Sequence, residues 1–239
     1  MGNKETTIGH LFGAALTVKG KWSLPFIPAA TLLIITWVAG RNHQQISWMK
    51  RMKIGAFTMP VIIGSEWCHN LAHTALAWWI GKPPDAINII GGMPLLYYKN
   101  VNDPDVSPRQ HILRALGGPL LNALLLLPSI WFQNHSRPGT IAREVTNAAV
   151  HMNLFLSTVS LLPIPGIDGG PILKWSLVAG GASSVKADQV LRRVNGFLGI
   201  ILGIGAFFAF KKRRCFLGSL MFQFGALAIA ISSGLIKEK

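Results

Sequence analysis

The sequence predicts an all-α integral membrane protein of about six transmembrane helices, with a short re-entrant, β-hairpin-like segment near residues 86–98. Three observations lead there. Half of the 239 residues are hydrophobic and only 13% are charged, against about a quarter charged in a soluble domain. Mean hydropathy is +0.40. Several apolar runs approach the roughly 20 residues that a helix needs to cross a bilayer.

The elements follow in order. A first span is expected from about Trp22 to Ala39, with PFIPAATLLIITWVA at its heart, and a basic loop, RNHQQISWMKRMK, comes after it. A second span runs from about Ile54 to Ile80. AINIIGGMPLLYY (86–98) is too short and too glycine-interrupted to span, so it reads as a strand pair or hairpin covered by protein. NVNDPDVSPRQ (100–110) is a polar, proline-punctuated loop. A third span is expected from about Ile112 to Phe132, and a fourth from about Val145 to Leu162. The fourth ends in LLPIPGIDGG, where proline and glycine break regular helix. The short apolar segment PILKWSLVAG and a polar connector with Arg192 and Arg193 lead to two closing spans, at about Asn195–Phe210 and Cys215–Ile236. No repeat, low-complexity tract or soluble second domain is visible, and 1–239 reads as one polytopic membrane domain with a C-terminal helical hairpin at 195–236.

Net charge is +14. The basic residues cluster between apolar runs, at Lys50, Arg51 and Lys53, at Arg192 and Arg193, and at KKRR 211–214. That placement suits topology signals and contact with anionic lipids of the bilayer. No aromatic-basic interleaving of a nucleic-acid module is present, so no nucleic-acid partner is expected. Cys68 and Cys215 are the only cysteines, which excludes a disulfide framework. The first 21 residues do not read as a cleavable signal peptide.

An ionisable residue inside a membrane segment is a functional hypothesis by default, because burying it costs several kcal/mol unless it is paired or hydrated. Residues 66–73 read EWCHNLAH. At about 100° per residue, Glu66, His69, Asn70 and His73 share one helix face. Two neutral imidazoles at i and i+4 present nitrogens to one cation, as in the zinc-binding H-x-x-x-H element. Zinc takes a third protein ligand, and Asp168, a carboxylate in the Pro/Gly-rich break, is the candidate. The plainer alternative is a pair of histidines hydrogen-bonded inside a bundle.

LLPIPGIDGGPIL (161–173), preceded by Asn153, resembles the L-D-G segment of the site-2 protease family of intramembrane zinc metalloproteases. RALGGPLLN (114–122) resembles that family's G-P-x-x-N element, and INIIGGMPLL (87–96) its membrane-embedded glycine hairpin. The order of the pieces matches too, across roughly residues 60 to 200, and Ile167 before the aspartate is a mild departure. The resemblance implies a metal-binding core at 54–180, Zn2+ held by His69, His73 and Asp168, and a multi-pass location in a prokaryotic-type cell membrane. It further implies that Asn122 and Asn153 line the site and hold substrate backbone or the developing oxyanion. The hairpin at Gly91 and Gly92 would then pair with an extended segment of a membrane-protein or peptide substrate.

In that family a glutamate follows the first histidine as general base; here Asn70 stands in its place. Asparagine hydrogen-bonds water but accepts no proton, and loss of a general base costs about 10²–10⁴ in rate. Glu66, one turn earlier, offers three roles. It could support His69 at Nδ1, serve as a fourth ligand, or act as a displaced base, in that order of preference. Three functions remain open on the sequence: a metalloprotease scaffold, weak or inactive as written; a non-catalytic zinc-containing binding protein (a pseudoprotease); and a metal transporter. The transporter is the weakest of the three, since no inverted repeat is visible.

Overall fold

The computed structural model describes residues 5–20, 25–42 and 45–236; Trp22, the expected start of the first span, lies outside them. The chain forms two compact units, one of residues 1–99 and 116–159, the other of residues 100–115 and 160–239. The first holds strands β1 (Glu5–Leu11) and β2 (Ala14–Lys19), helices α1 (Phe26–Asn42) and α2 (Trp48–Trp79), and strands β3 (Ala86–Ile90) and β4 (Met93–Tyr97). It also takes most of α3 (Pro108–His135) and all of α4 (Ile141–Thr158). The second holds the start of α3, then α5 (Gly169–Ala179), α6 (Ser184–Lys211) and α7 (Cys215–Ser232).

The all-α expectation needs correction, because the first unit contains a four-stranded sheet in the order β1-β2-β3-β4. The outer pairs are antiparallel and β2 runs parallel to β3, with Ala15 opposite Ala86 and Val18 opposite Ile89. Residues 86–97 form the expected hairpin, but it is only half of the sheet. The other half comes from ETTIGHL and AALTVK, joined by Phe12 and Gly13 at φ 48° and 77°. Two consecutive positive φ values suit the right-handed twist of a tight hairpin. A phenylalanine rarely adopts one, which hid the turn.

Gly91 and Gly92, at φ 61° and 89°, make the second hairpin turn. A Cβ on Gly91 would stand 2.7 Å from the Phe26 ring, and one on Gly92 3.1 Å from the Pro28 ring. The Ile27 N–H donates to the Gly91 carbonyl (3.0 Å), and the Trp67 indole N–H donates to the Gly92 carbonyl (3.0 Å). The turn is thus fastened both to the start of α1 and to α2, two residues before His69.

Three helices, α3, α6 and α7, are long and apolar enough to cross a bilayer, and α1 is a shorter apolar helix. Their bare faces agree with a lipid environment: Phe197 is 71% and Phe216 85% exposed, apolar surface that water would penalise at about 25 cal/mol per Å². The chain is an integral membrane protein. Helix α6 starts at Ser184, with the Ser183 hydroxyl accepting from Lys186 N (3.3 Å), so the polar stretch expected as a connector is its first three turns. Helix α3 opens on a reciprocal cap, in which Gln110 Oε1 accepts from Ser107 N at 3.0 Å and Ser107 Oγ from Gln110 N at 3.4 Å.

Replacing Gly91 with valine forces a branched side chain into a left-handed conformation and against Phe26. We expect a loss of about 1–3 kcal/mol, read as a lowered unfolding temperature in detergent. An unchanged transition would contradict the packing of this turn on α1.

Candidate metal centre

His69 and His73 lie on α2, both buried, with their Nε2 atoms 3.1 Å apart and their rings edge to face at 81°. Two nitrogens bound tetrahedrally to one zinc at about 2.0–2.1 Å lie about 3.3 Å from each other. The pair is therefore already close to the spacing of two ligands on one ion.

What holds the rings is a chain of amides. His69 Nδ1 meets Asn122 Oδ1 at 2.7 Å, Asn122 Nδ2 donates to Asn153 Oδ1 at 2.7 Å, and Asn153 Nδ2 donates to the Ala149 carbonyl at 2.9 Å. A backbone carbonyl only accepts, so the last bond fixes the orientation of Asn153. Asn153 in turn fixes Asn122, and Asn122 fixes the imidazole. His69 must carry its proton on Nδ1 and present the lone pair of Nε2 toward His73. This is the outer support that metal-ligating histidines usually have. Sequence reasoning gave the support at Nδ1 first to Glu66; Asn122 fills it.

The resemblance gave Asn122 and Asn153 a part in holding substrate. The bonds observed for Asn122, fully buried at 0% exposure, run to His69 and Asn153. No spacing rule marks residue 122 as the partner of residue 69; the G-P-x-x-N pattern was the one available signal.

Space for an ion comes from glycine. A Cβ on Gly118 would lie 2.6 Å from His69 Nε2 and closer still to His73 Nε2, where a metal bound by both would sit. A Cβ on Gly117 would strike the Ala72 carbonyl at 2.6 Å and His73 Cα at 2.8 Å. Together the two glycines let α3 lie directly on α2 and leave an ion-sized opening over the imidazoles. The donor set and the opening both fit a zinc ion.

Asn70 is turned away from acid-base work. Its side-chain Nδ2 donates back to the Glu66 backbone carbonyl (3.1 Å), and its backbone carbonyl accepts from Thr74 Oγ1 (2.9 Å). In the second unit, Asp168 occupies the N-cap position of α5 in a helical conformation, φ −53° and ψ −36°, and its side chain does not cap the helix. A Cβ on Gly170 would stand 2.5 Å from the Ile164 carbonyl, and one on Gly169 would strike the carbonyls of Leu161 and Leu162. The glycine pair after Asp168 thus lets the 161–165 loop lie against the helix start and fixes where the aspartate emerges.

Comparison with known proteins bears on the fold and on a short stretch of sequence. No protein-family model matches the chain. A curated protein of Methanocaldococcus jannaschii, named provisionally as a zinc metalloprotease, is 34% identical over 71 residues; the match spans 30% of this chain and 37% of that protein. The solved site-2 protease from Methanocaldococcus jannaschii superposes with a TM-score of 0.55 at 13% identity, covering 99% of each chain.

Two expected outcomes check the centre. Gly118→Ala should abolish stoichiometric zinc retention, measured by elemental analysis, while helical circular dichroism is kept. Asn122→Ala should weaken zinc binding about 10–100-fold, as losses of such support do; full retention of zinc by both variants would contradict this site. In the order of its sequence elements and in its fold, the chain resembles the site-2 protease family.

Proposed function

We propose that the chain is a membrane-embedded zinc metalloprotease scaffold of the site-2 protease type, with little or no peptide-bond cleavage in its present sequence. The observation that carries this reading is the facing Nε2 pair of His69 and His73 beneath Gly118, with His69 locked in the ligating tautomer. Asp168 is the third ligand. The order of the sequence elements supports this, with Asp168 in the Pro/Gly-rich break that resembles the family's L-D-G segment. Zinc, when bound, supplies a Lewis acid that polarises water and a peptide carbonyl.

The chain's own residues then set the limits. Asn122 and Asn153 hold His69 in place. Position 70 contributes an amide already bonded to the Glu66 carbonyl, so it takes no proton from an attacking water. The missing base costs about 10²–10⁴ in rate. A substrate would bind as an extended segment of a membrane protein along the outer edge of β4, which ends the order of described strands. Gly91 and Gly92 would shape the turn beside it. Helices α1, α2 and α4 would cross the bilayer with α3, α6 and α7, giving about six spans.

Asn70 also favours a second reading, a pseudoprotease that keeps the metal and clamps a substrate helix or partner without cutting it. One substitution separates the two. Asn70→Glu should raise cleavage of a membrane substrate at least ~10²-fold with zinc content unchanged, because residue 70 is not a ligand. If Asn70→Glu stays inactive with zinc in place, the protease reading falls and the binding reading stands. If the unmodified chain cuts at ordinary protease rates and Glu66→Gln abolishes the cutting, the base has moved to Glu66.

A further inference from the structure

A cavity of about 360 Å³ opens in the second unit, lined by the polar residues Asn102, Lys174, Asp188 and Arg192 and by the apolar Leu191 and Ile231. Lys174 is only 3% exposed, and burying an ammonium group costs several kcal/mol unless it is compensated. The compensation is visible: its Nζ lies 2.8 Å from Asp188 Oδ1 and donates to Asn102 Oδ1 at 2.9 Å. Arg192 lies one helical turn beyond Asp188 on α6. No hydrogen bond or ion pair to another described residue engages its guanidinium. With Asp188 offset by Lys174, the cavity keeps one positive charge, and it is carried by a planar donor fork suited to phosphate.

Its place along the helices says which phosphate. Arg192 lies in the polar first turns of α6, and Ile231 in the last turn of α7. Both helices are long and apolar enough to span a bilayer, and KKRR (211–214) joins their other ends. The cavity therefore lies where spanning helix gives way to polar chain, at the depth of lipid headgroups. Leu191 and Ile231 in its lining suit the glycerol and upper acyl region of the same molecule.

We propose that this cavity binds the headgroup of an anionic phospholipid, with its phosphate on Arg192 in the field of Lys174. Pro165 and Gly166 also line the cavity, so the lipid braces the loop that runs into Asp168. The inference does not depend on zinc or on proteolysis, since none of the residues that would touch the lipid is a proposed zinc ligand.

The test uses the full chain purified in mild detergent after exposure to mixed phosphatidylglycerol and phosphatidylcholine. Retained lipid is counted by native mass spectrometry. We expect selective retention of phosphatidylglycerol, weakened about fivefold or more in Arg192→Gln and unchanged in Lys212→Gln at the opposite end of α6. Arg192 is exposed, so its variant should fold, and an unchanged unfolding transition checks this. Three results would each overturn the proposal: equal retention of the two lipids, retention indifferent to Arg192→Gln, or equal loss in Lys212→Gln. A fourth arm offers glycerol phosphate alone. Binding as tight as that of the lipid would assign the cavity to a soluble phosphate instead.

Discussion

The contact of α3 with α2 at Gly117 and Gly118 is the constraint on which the histidine centre depends. A side chain at Gly117 would push α3 off the Ala72–His73 backbone, and one at Gly118 would strike the two imidazoles; either way Asn122, one turn beyond Gly118 on α3, would lose reach of His69. With glycine at both, the helices meet closely enough for a 2.7 Å bond between Asn122 and His69. The opening that remains over the two Nε2 atoms is too small for a side chain. Small residues serve membrane helices in this way because lipid tails compete for apolar contact, and close packing decides which helices stay together.

The same contact explains why polar groups are tolerated here. A buried amide without partners costs roughly 1–3 kcal/mol, and more in lipid. In the first unit the amides of Asn122 and Asn153 are spent in a chain that begins at an imidazole and ends at the Ala149 carbonyl, with Ser129 Oγ as a further partner of Asn153. A satisfied network of this kind selects one arrangement of its members. It holds His69 in one tautomer through side-chain amides. Position 70 therefore can lose its negative charge without loosening the ligands. The side chains that orient His69 are thus distinct from the one at position 70.

Much of this was legible in the sequence. The i, i+4 histidines and the glycine pairs at 91–92, 117–118 and 169–170 each mark a place where backbone or metal must come close. The hairpin at 86–97 was visible because paired glycines interrupted a run too short to span. Strands β1 and β2 were missed for the opposite reason. Their turn carries Phe12 at a positive φ, and β2 gains its parallel partner only some 70 residues later, at β3. Such pairing leaves no local periodicity. The start of α6 was missed because SVKADQVLRRV reads as a polar connector, whereas it is the helix's extension beyond the apolar span. Asn122 was singled out through its motif, but its bond to His69 was not, since spacing says nothing of a partner 53 residues away.

The central claim is that His69 and His73 are two ligands on one ion and that a carboxylate completes the protein's share. X-ray absorption at the zinc edge of the purified, zinc-loaded chain tests it most directly. The account predicts two imidazole nitrogens and oxygen donors at about 2.0–2.2 Å, with the imidazole scattering lost in a His69→Ala, His73→Ala double variant. A spectrum with no imidazole scatterers, or one left unchanged by removing both histidines, would contradict it.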